Sequence, residues 1–443
     1  MNIAILDQSC AGWSAGASFT RMMLACLSLA RANHEGEIFF LSGRTDFEIG
    51  PEFRRLDLPK DMDAAGFAEI LRTHEIAVTI PVRDHLVHEI PGAKVGWVPD
   101  FQHFRLPELF TEENIAERDE LLSAVVNGCD VVLVSSESAR EDLAAFAPEA
   151  VAKARVGRFS SMLWQSTFRE YVDVRSKYHL PERFFLVANQ FWKHKDHAVL
   201  PRALAEAHEA GARPFVVCTG LTCDYRDPEN RVFSEFLRRC SELGVRDRIA
   251  ILGQVPYGDL VSLMRTAQAV VQPSRFEGWS TSVEDCKALG RPLICSDIPV
   301  HREQAGDDGI FFPLSDASRL GQLLASESET LAAGPDPERE HAALSDAKTR
   351  AKGYGEALLA MAREAVDRHG THLTTTSNPQ IAKRAVPLVR QQADYIAELE
   401  KACSERLQGM EALRAEVERL RGELDAIDAA PLRMAAKKIL GRR

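Results

Sequence analysis

The stretch Gln272–Gln304, QPSRFEGWSTSVEDCKALGRPLICSDIPVHREQ, holds the residues of this chain best suited to chemistry. The apolar run Ala269–Val271 leads into a turn, and a helix is expected to start near Ser280–Ser282. The first amides of a helix have no partner inside it and carry the positive end of its dipole, so they bind phosphate or sugar oxygens. Gly278 would let a ligand approach the backbone closely. Ser280, Thr281 and Ser282 offer cap oxygens or ligand contacts. Glu277 falls at the strand end and Asp285 on the first helical turn. Each carboxylate can accept hydrogen bonds from a pair of vicinal hydroxyls, one pair on a sugar and one on a ribose. Glu284, one residue earlier, points about 100° away on a helix.

Further candidates lie upstream. In Phe184–Leu200, FFLVANQFWKHKDHAVL, a strand runs through a polar turn into a helix. Lys195 there is a candidate clamp for a diphosphate, because a cation stabilises leaving phosphate charge. In Gly96–Leu109, GWVPDFQHFRLPEL, a buried strand ends near Val98, which puts His103 at its carboxyl end. His103 is the best candidate for a histidine that hydrogen-bonds a sugar or polarises a reacting centre. Asp100 is a lesser candidate, with capping of the next turn as its other reading. Gly12 and Gly16 precede a helix without forming GxGxxG, and Trp13 either stacks on a sugar or packs in the turn. Ser135 or Ser136 is the expected N-cap of the next helix, and no GxSxG supports hydrolase chemistry. His301 is assigned equally to the cleft and to structure.

The elements that must position these residues form two series of short apolar runs alternating with helix-length amphipathic stretches. The first runs Ile3–Leu6, Ile38–Leu41, Ala77–Ile80, Lys94–Val98 and Val131–Val134. The second runs Phe184–Val187, Phe215–Cys218, Ile249–Leu252, Ala269–Val271, Pro292–Cys295 and Ile310–Phe312. Phe19, Met23, Cys26, Leu27 and Ala30 mark one apolar helical stripe. Such alternation implies α/β architecture: two Rossmann-like doubly wound domains, with ligand beyond the carboxyl ends of the strands in the cleft between them. The boundary falls within Phe159–Pro181, giving domains 1–165 and 166–369, with Tyr354–Val366 as a closing helix.

After a polar linker, 370–390, apolar residues from Ile396 to Ile427 recur in alternating three- and four-residue steps. That heptad pattern, broken only by Arg406, predicts a coiled coil over 391–430 and self-association. Pro431 ends it. The tail 431–443 carries five basic residues and no acid, and reads equally as a peripheral contact with an anionic membrane or as a frayed end. The net charge of -11 argues against a general nucleic-acid binder. Nine scattered cysteines without a CxxC pair read as reduced thiols. No signal peptide or membrane-spanning run is expected, which places the chain in the cytoplasm.

The segment FEGWSTSVEDCKALGRPLICSDIPVHREQ resembles the donor-binding signature of the family-four retaining glycosyltransferases, bacterial group-1-type enzymes of GT-B fold. That signature has two acids eight positions apart, which fall on Glu277 and Asp285, the latter an Asp where the family has Glu. The resemblance covers roughly residues 1–369. It implies a sugar contact for Glu277, a ribose contact for Asp285, and a donor site that includes Gly278, Trp279, Ser280, Thr281 and Ser282. Lys195 matches the diphosphate-clamping Lys. Asn189 or Gln190 stands where Arg is common, with Lys193 or Arg275 able to compensate. NQFWKHK and WVPDFQHFRLPELF are similar to one subgroup, in which the His matching His103 lines the active site. Gly12–Gly16 corresponds to a loop closing over donor or acceptor.

The implied activity is retaining transfer from a nucleotide-sugar to a saccharide or lipid-linked acceptor in surface polysaccharide synthesis. The nucleotide-sugar is a substrate. No cofactor is expected, and no DxD at a strand end signals a metal. The competing readings are a GT-B sugar-nucleotide epimerase, and a non-catalytic scaffold that assembles partners through its coiled coil.

Overall fold

The computed structural model describes residues 1–9, 14–44, 47–59, 62–83, 85–88, 90–165, 170–224, 226–372 and 419. Two parallel sheets organise them. The first contains β1 (Asn2–Leu6), β2 (Ile38–Ser42), β3 (Arg54–Asp57), β4 (Ile76–Val82), β5 (Ala93–Val98), β6 (Val131–Val134) and β7 (Ala154–Val156). Their order is β3-β2-β1-β4-β5-β6-β7. The second contains β8 (Phe185–Ala188), β9 (Val216–Thr219), β10 (Ile249–Gly253), β11 (Val270–Gln272), β12 (Leu293–Ser296) and β13 (Gly309–Phe312), in the order β10-β9-β8-β11-β12-β13. Every strand pairing is parallel. Both sheets are therefore doubly wound. Each reverses its winding once, between β1 and β4 in the first and between β8 and β11 in the second. In such sheets the crevice at the reversal is where ligands bind.

Apart from the edge strand β3, the strands are largely apolar on both faces, as buried parallel strands must be. In β8, Phe185 and Val187 enter one core while Leu186 and Ala188 enter the other. The two-residue period thus splits one apolar run between helices above and below the sheet. The eleven expected strands all form. Sequence reading missed β3 and β7. The first is a charged edge strand, RRLD, and the second has three residues. An edge strand needs no apolar face, so it leaves no hydropathic signal.

The predicted stripe Phe19, Met23, Cys26, Leu27 and Ala30 is buried in the helix Ser14–Ala30. The expected closing helix, Tyr354–Val366, is part of a longer one, Pro337–His372. It does not stay with the second domain. It packs on helix Thr281–Ala288 and also on β4, β5 and β6 of the first sheet. The expected linker 370–390, coiled coil 391–430 and tail 431–443 lie outside the described residues, apart from 370–372, which end this helix, and Arg419. Among the described residues no helix is long and apolar enough to cross a membrane. Cys26, Cys129, Cys218, Cys223, Cys240, Cys286 and Cys295 are free thiols.

The long helix crosses Ser14–Ala30 at a glycine. A Cβ on Gly355 would stand 2.1 Å from the Cys26 carbonyl oxygen and 3.0 Å from the Ala30 Cβ. In an open helix Gly→Ala stabilises by roughly 1 kcal/mol. Here overpacking reverses the sign, and Gly355→Ala should destabilise by about 1–3 kcal/mol in urea denaturation. A gain in stability would mean that the two helices do not meet at this distance.

Candidate active site

Lys195 and Glu277 come from the two loops that leave the reversal point of the second sheet, one after β8 and one after β11. A short 3-10 turn, Lys193–Lys195, carries the lysine. The Lys195 Nζ donates to the Glu277 Oε1 at 2.6 Å, with side chains only 16% and 8% exposed. Burial pushes the Glu277 carboxyl up, but the charge and hydrogen bond of Lys195, with His301 nearby, outweigh it and leave the group below its ordinary range. Glu277 is thus an ionised acceptor. The last residue of β11, Gln272, completes the arrangement. Its amide nitrogen donates to Glu277 Oε1 at 2.8 Å and lies 3.2 Å from both Ser274 Oγ and Ser280 Oγ. Its own carbonyl accepts from Asn189 Nδ2 at 2.8 Å.

The helix Thr281–Ala288 begins beside this pair. Ser280 is its N-cap, accepting from the Val283 amide. The Ser280 amide is taken by Gln304 Oε1 at 3.1 Å. Thr281 is exposed on the first turn and Ser282 half-buried. These two residues sit where a helix start is anion-seeking.

The structure gives several expected donor residues internal roles. Asn189 holds Gln272. Ser282 Oγ donates to the Ala188 carbonyl at 2.8 Å. Trp279 is buried, and its indole N–H donates to the Phe159 carbonyl at 3.0 Å. Gly278 is needed by protein backbone: a Cβ there would stand 2.3 Å from the Pro99 carbonyl oxygen. Arg275 pairs with Glu108 at 2.9 Å. Gly16 lies in the first turn of helix Ser14–Ala30 rather than in the loop before it. Gly12 and Trp13 lie outside the described residues. Gln190, where a cation was sought, has a buried side-chain oxygen with no hydrogen-bond partner among the described residues.

Asp285 departs furthest from expectation. Both of its oxygens are engaged: Ser161 Oγ donates to Oδ1 at 2.6 Å and Tyr257 OH to Oδ2 at 2.8 Å. Ser161 belongs to the segment that joins the two sheets, so Asp285 ties that segment down. Glu284 is also buried, accepting from Gln304 Nε2 at 3.1 Å beside Lys287.

His103 lies on the short helix Gln102–Arg105 after β5. Its ring is buried against Phe110, with Nε2 at 3.0 Å from Asp119 Oδ1 and Nδ1 without a partner among the described residues. Burial lowers its pKa first, then the Arg118 charge, against the opposing pull of Asp119. The imidazole is therefore neutral at neutral pH. Asp100 caps the turn, accepting from the Gln102 amide at 2.9 Å. Ser136, not Ser135, is the N-cap of helix Glu137–Phe146. His301 is fully buried, with Nδ1 at 2.9 Å from the Ser296 carbonyl and Nε2 without a partner among the described residues.

Three contacts hold the His103 loop of the first sheet against the second half, two on the Glu277 loop and one on the loop after β9. They are Pro99 on Gly278, Glu108 on Arg275, and Gln102 on Arg226, the last at 2.9 Å. Of these groups the sequence reading named Gly278 and Arg275, and it placed Pro99 through His103 at the carboxyl end of their strand, facing the cleft. Gln272, Gln304, Ser161, Tyr257 and Arg226 were missed. A Gln ending an apolar strand was the one available sign, since burial forces such a side chain to find partners.

Burial raises the Asp285 carboxyl to about 6, aided by the Glu284 charge and opposed by the Ser161 and Tyr257 hydrogen bonds. An unfolded Asp titrates near ~3.9, so the folded state holds this proton more tightly. The stability it contributes is complete below about pH 4 and lost as pH rises through about 6. Asp285→Asn cannot ionise. Its unfolding free energy relative to wild type should therefore rise by roughly 2 kcal/mol between pH ~4 and pH ~8 in urea titrations. A flat difference would show that the carboxyl does not titrate in that window.

Residues 173–327, which hold Lys195, Glu277 and Asp285, match the family model described as Glycosyl transferases group 1. The O-antigen chain mannosyltransferase B of Escherichia coli is 23% identical over 245 residues, spanning 53% of this chain and 61% of the relative, less than two thirds of its length. A glycosyltransferase from Rickettsia africae superimposes with a TM-score of 0.56 at 14% identity, covering 85% of this chain and 99% of that one. Anabaena Alr3699/HepE, in complex with UDP and glucose, does so with a TM-score of 0.55 at 14% identity, covering 84% and 100%. The body of the chain thus has the GT-B fold, and the match over its second half supports a group 1 glycosyl transferase.

Proposed function

We propose that the protein is a retaining glycosyltransferase that moves a hexosyl group from a nucleotide-sugar to a saccharide or lipid-linked acceptor during surface polysaccharide synthesis. The observation that carries this reading is the buried Glu277–Lys195 pair at the reversal point of the second sheet. An ionised carboxylate there accepts hydrogen bonds from sugar hydroxyls, and the lysine beside it meets the diphosphate. The amides at the start of helix Thr281–Ala288 add to that positive end. Together they offset the charge of the leaving nucleotide, so the reading requires no cofactor. The neutral His103 has a buried Nδ1 without a hydrogen-bond partner among the described residues, an acceptor for a sugar hydroxyl in this reading. Support for a hexosyl group comes from the relative, named a mannosyltransferase, and from the neighbour complexed with UDP and glucose.

In the step itself the bond between the anomeric carbon and the phosphate oxygen breaks. The acceptor oxygen bonds to that carbon on the same face. The acceptor's proton passes to the departing phosphate oxygen. A basic tail after Pro431 would hold the enzyme near a lipid-linked acceptor at the cytoplasmic membrane face.

The test is a thermal-shift screen of nucleotide-hexoses followed by transfer assays with the one that binds. Wild type should be stabilised by a specific nucleotide-sugar. Glu277→Gln and Lys195→Met, checked for folding by circular dichroism, should lower transfer about 10²–10³-fold. The proposal fails if no nucleotide-sugar binds, as a scaffold would behave, or if the donor alone is converted to its epimer.

A further inference from the structure

We propose that Arg226 is a positioning residue that fixes the His103 loop and the Lys195 loop in register when the two halves meet. The inference rests on the transferase reading above and names a residue outside its donor site. Arg226 lies in the loop between β9 and helix Arg231–Glu242. That loop is folded on itself by Asp224 and Asp227. Asp224 accepts from the Arg226 amide at 3.0 Å, and Asp227 Oδ2 accepts from the Val232 amide at 2.7 Å.

The Arg226 side chain is 10% exposed. Asp224, itself buried, receives its Nε at 3.0 Å and its Nη2 at 2.9 Å, a two-pronged grip that sets the plane of the guanidinium. The Nη1 then donates across to Gln102 Oε1 of the first half at 2.9 Å. The Nη2 also lies 3.4 Å from His194 Nδ1. The guanidinium carbon sits over two rings, 5.4 Å from the Phe110 centroid of the first half and 5.5 Å from the Trp192 centroid of the second.

Each contact adjoins a residue of the site. Gln102 precedes His103, and Phe110 packs on the His103 ring. Trp192 and His194 flank Lys193 and lead into Lys195. The His194 carbonyl also receives the Arg275 amide at 2.7 Å, two residues before Glu277. His194 is buried among the charges of Lys195, Arg226 and Arg275, and burial and these charges hold it neutral. Its Nδ1 can then accept from the guanidinium. One planar cation thus orders the loop that offers the imidazole and the loop that offers the ammonium. Lysine could supply the charge but not the fork that meets Asp224 and Gln102 together.

The experiment compares wild type with Gln102→Ala, Arg226→Lys and Arg226→Ala. It reads kcat for transfer, nucleotide affinity by calorimetry, and unfolding midpoint. Gln102→Ala breaks only the bond between halves. It should lower kcat at least 10-fold while nucleotide affinity, set by the second half, stays within 2-fold, since small misplacements are expensive in rate. Arg226→Lys should fall as far as Arg226→Ala, and added guanidinium ion should restore part of the Arg226→Ala rate. Combining Gln102→Ala with Arg226→Ala should lower kcat no further than Arg226→Ala alone. The inference is overturned if kcat per folded enzyme is unchanged in these variants, or if guanidinium restores nothing. It is also overturned if the losses in the two halves simply multiply. Failure of wild type to transfer any sugar would instead sink the functional reading, and is told apart by that control.

Discussion

A buried carboxylate kept charged by one lysine is the constraint around which the second half of the protein is arranged. Taking Glu277 and Lys195 out of water costs several kcal/mol for each ion, and attraction between them offsets this only when the remaining polar atoms are also satisfied. Here that condition reaches back into the sheet. Gln272 ends β11 and donates to the same carboxylate oxygen, and it is itself fixed by Asn189 at the end of β8. The two strands at the reversal point therefore end in side chains that lock each other. A buried pair is a poor device for stability alone, since apolar packing of equal volume does as well. Its value is that charge and hydrogen-bonding capacity stand ready where the sheet opens.

The same economy governs the joining of the halves. The bonds that hold the connecting segment after β7 on the second half include Trp279 to Phe159, Ser160 to the Ala347 carbonyl at 3.1 Å, and Ser161 to Asp285. Phe159 sits edge-on to Trp279 and to Phe19, which stacks on Trp97 of β5. This apolar seam is buried. The polar links differ in kind. Glu303 accepts from the Glu137 amide at 2.9 Å at a helix start and pairs with a half-exposed Arg158 at 2.6 Å. Glu108 and Arg275 are likewise partly exposed. Exposed ion pairs contribute about 0–1 kcal/mol and are readily exchanged for water. Any opening of the cleft would therefore part these pairs and bend about the aromatic seam, which has no aqueous substitute.

Much of this was legible from hydropathy. Parallel strands buried on both faces leave unbroken apolar runs, and eleven of them stood out as such. The strands that escaped, β3 and β7, sit at the edges of their sheet, where one neighbour suffices and apolar residues are not required. The long C-terminal helix was seen as a helix, but its course was not. Its interface with the first half depends on glycines at contacts such as Gly355, and spacing alone cannot say which surface a glycine faces.

The site was legible in type rather than in detail. A glutamate at a strand end, a lysine after the preceding reversal strand and a serine cap are local features, and all three fall where local rules put them. Asp285 is different. On the helix surface its position is compatible with a ligand, yet each of its two oxygens accepts from a hydroxyl, of residues 124 and 28 positions away in the chain. Gly278 has the same character: the backbone that approaches it belongs to Pro99, from the other half. Residue type announces that a group must be satisfied or accommodated. What satisfies it is decided by chain segments that meet only after both sheets have formed, and that is where reading the chain in order stops being enough.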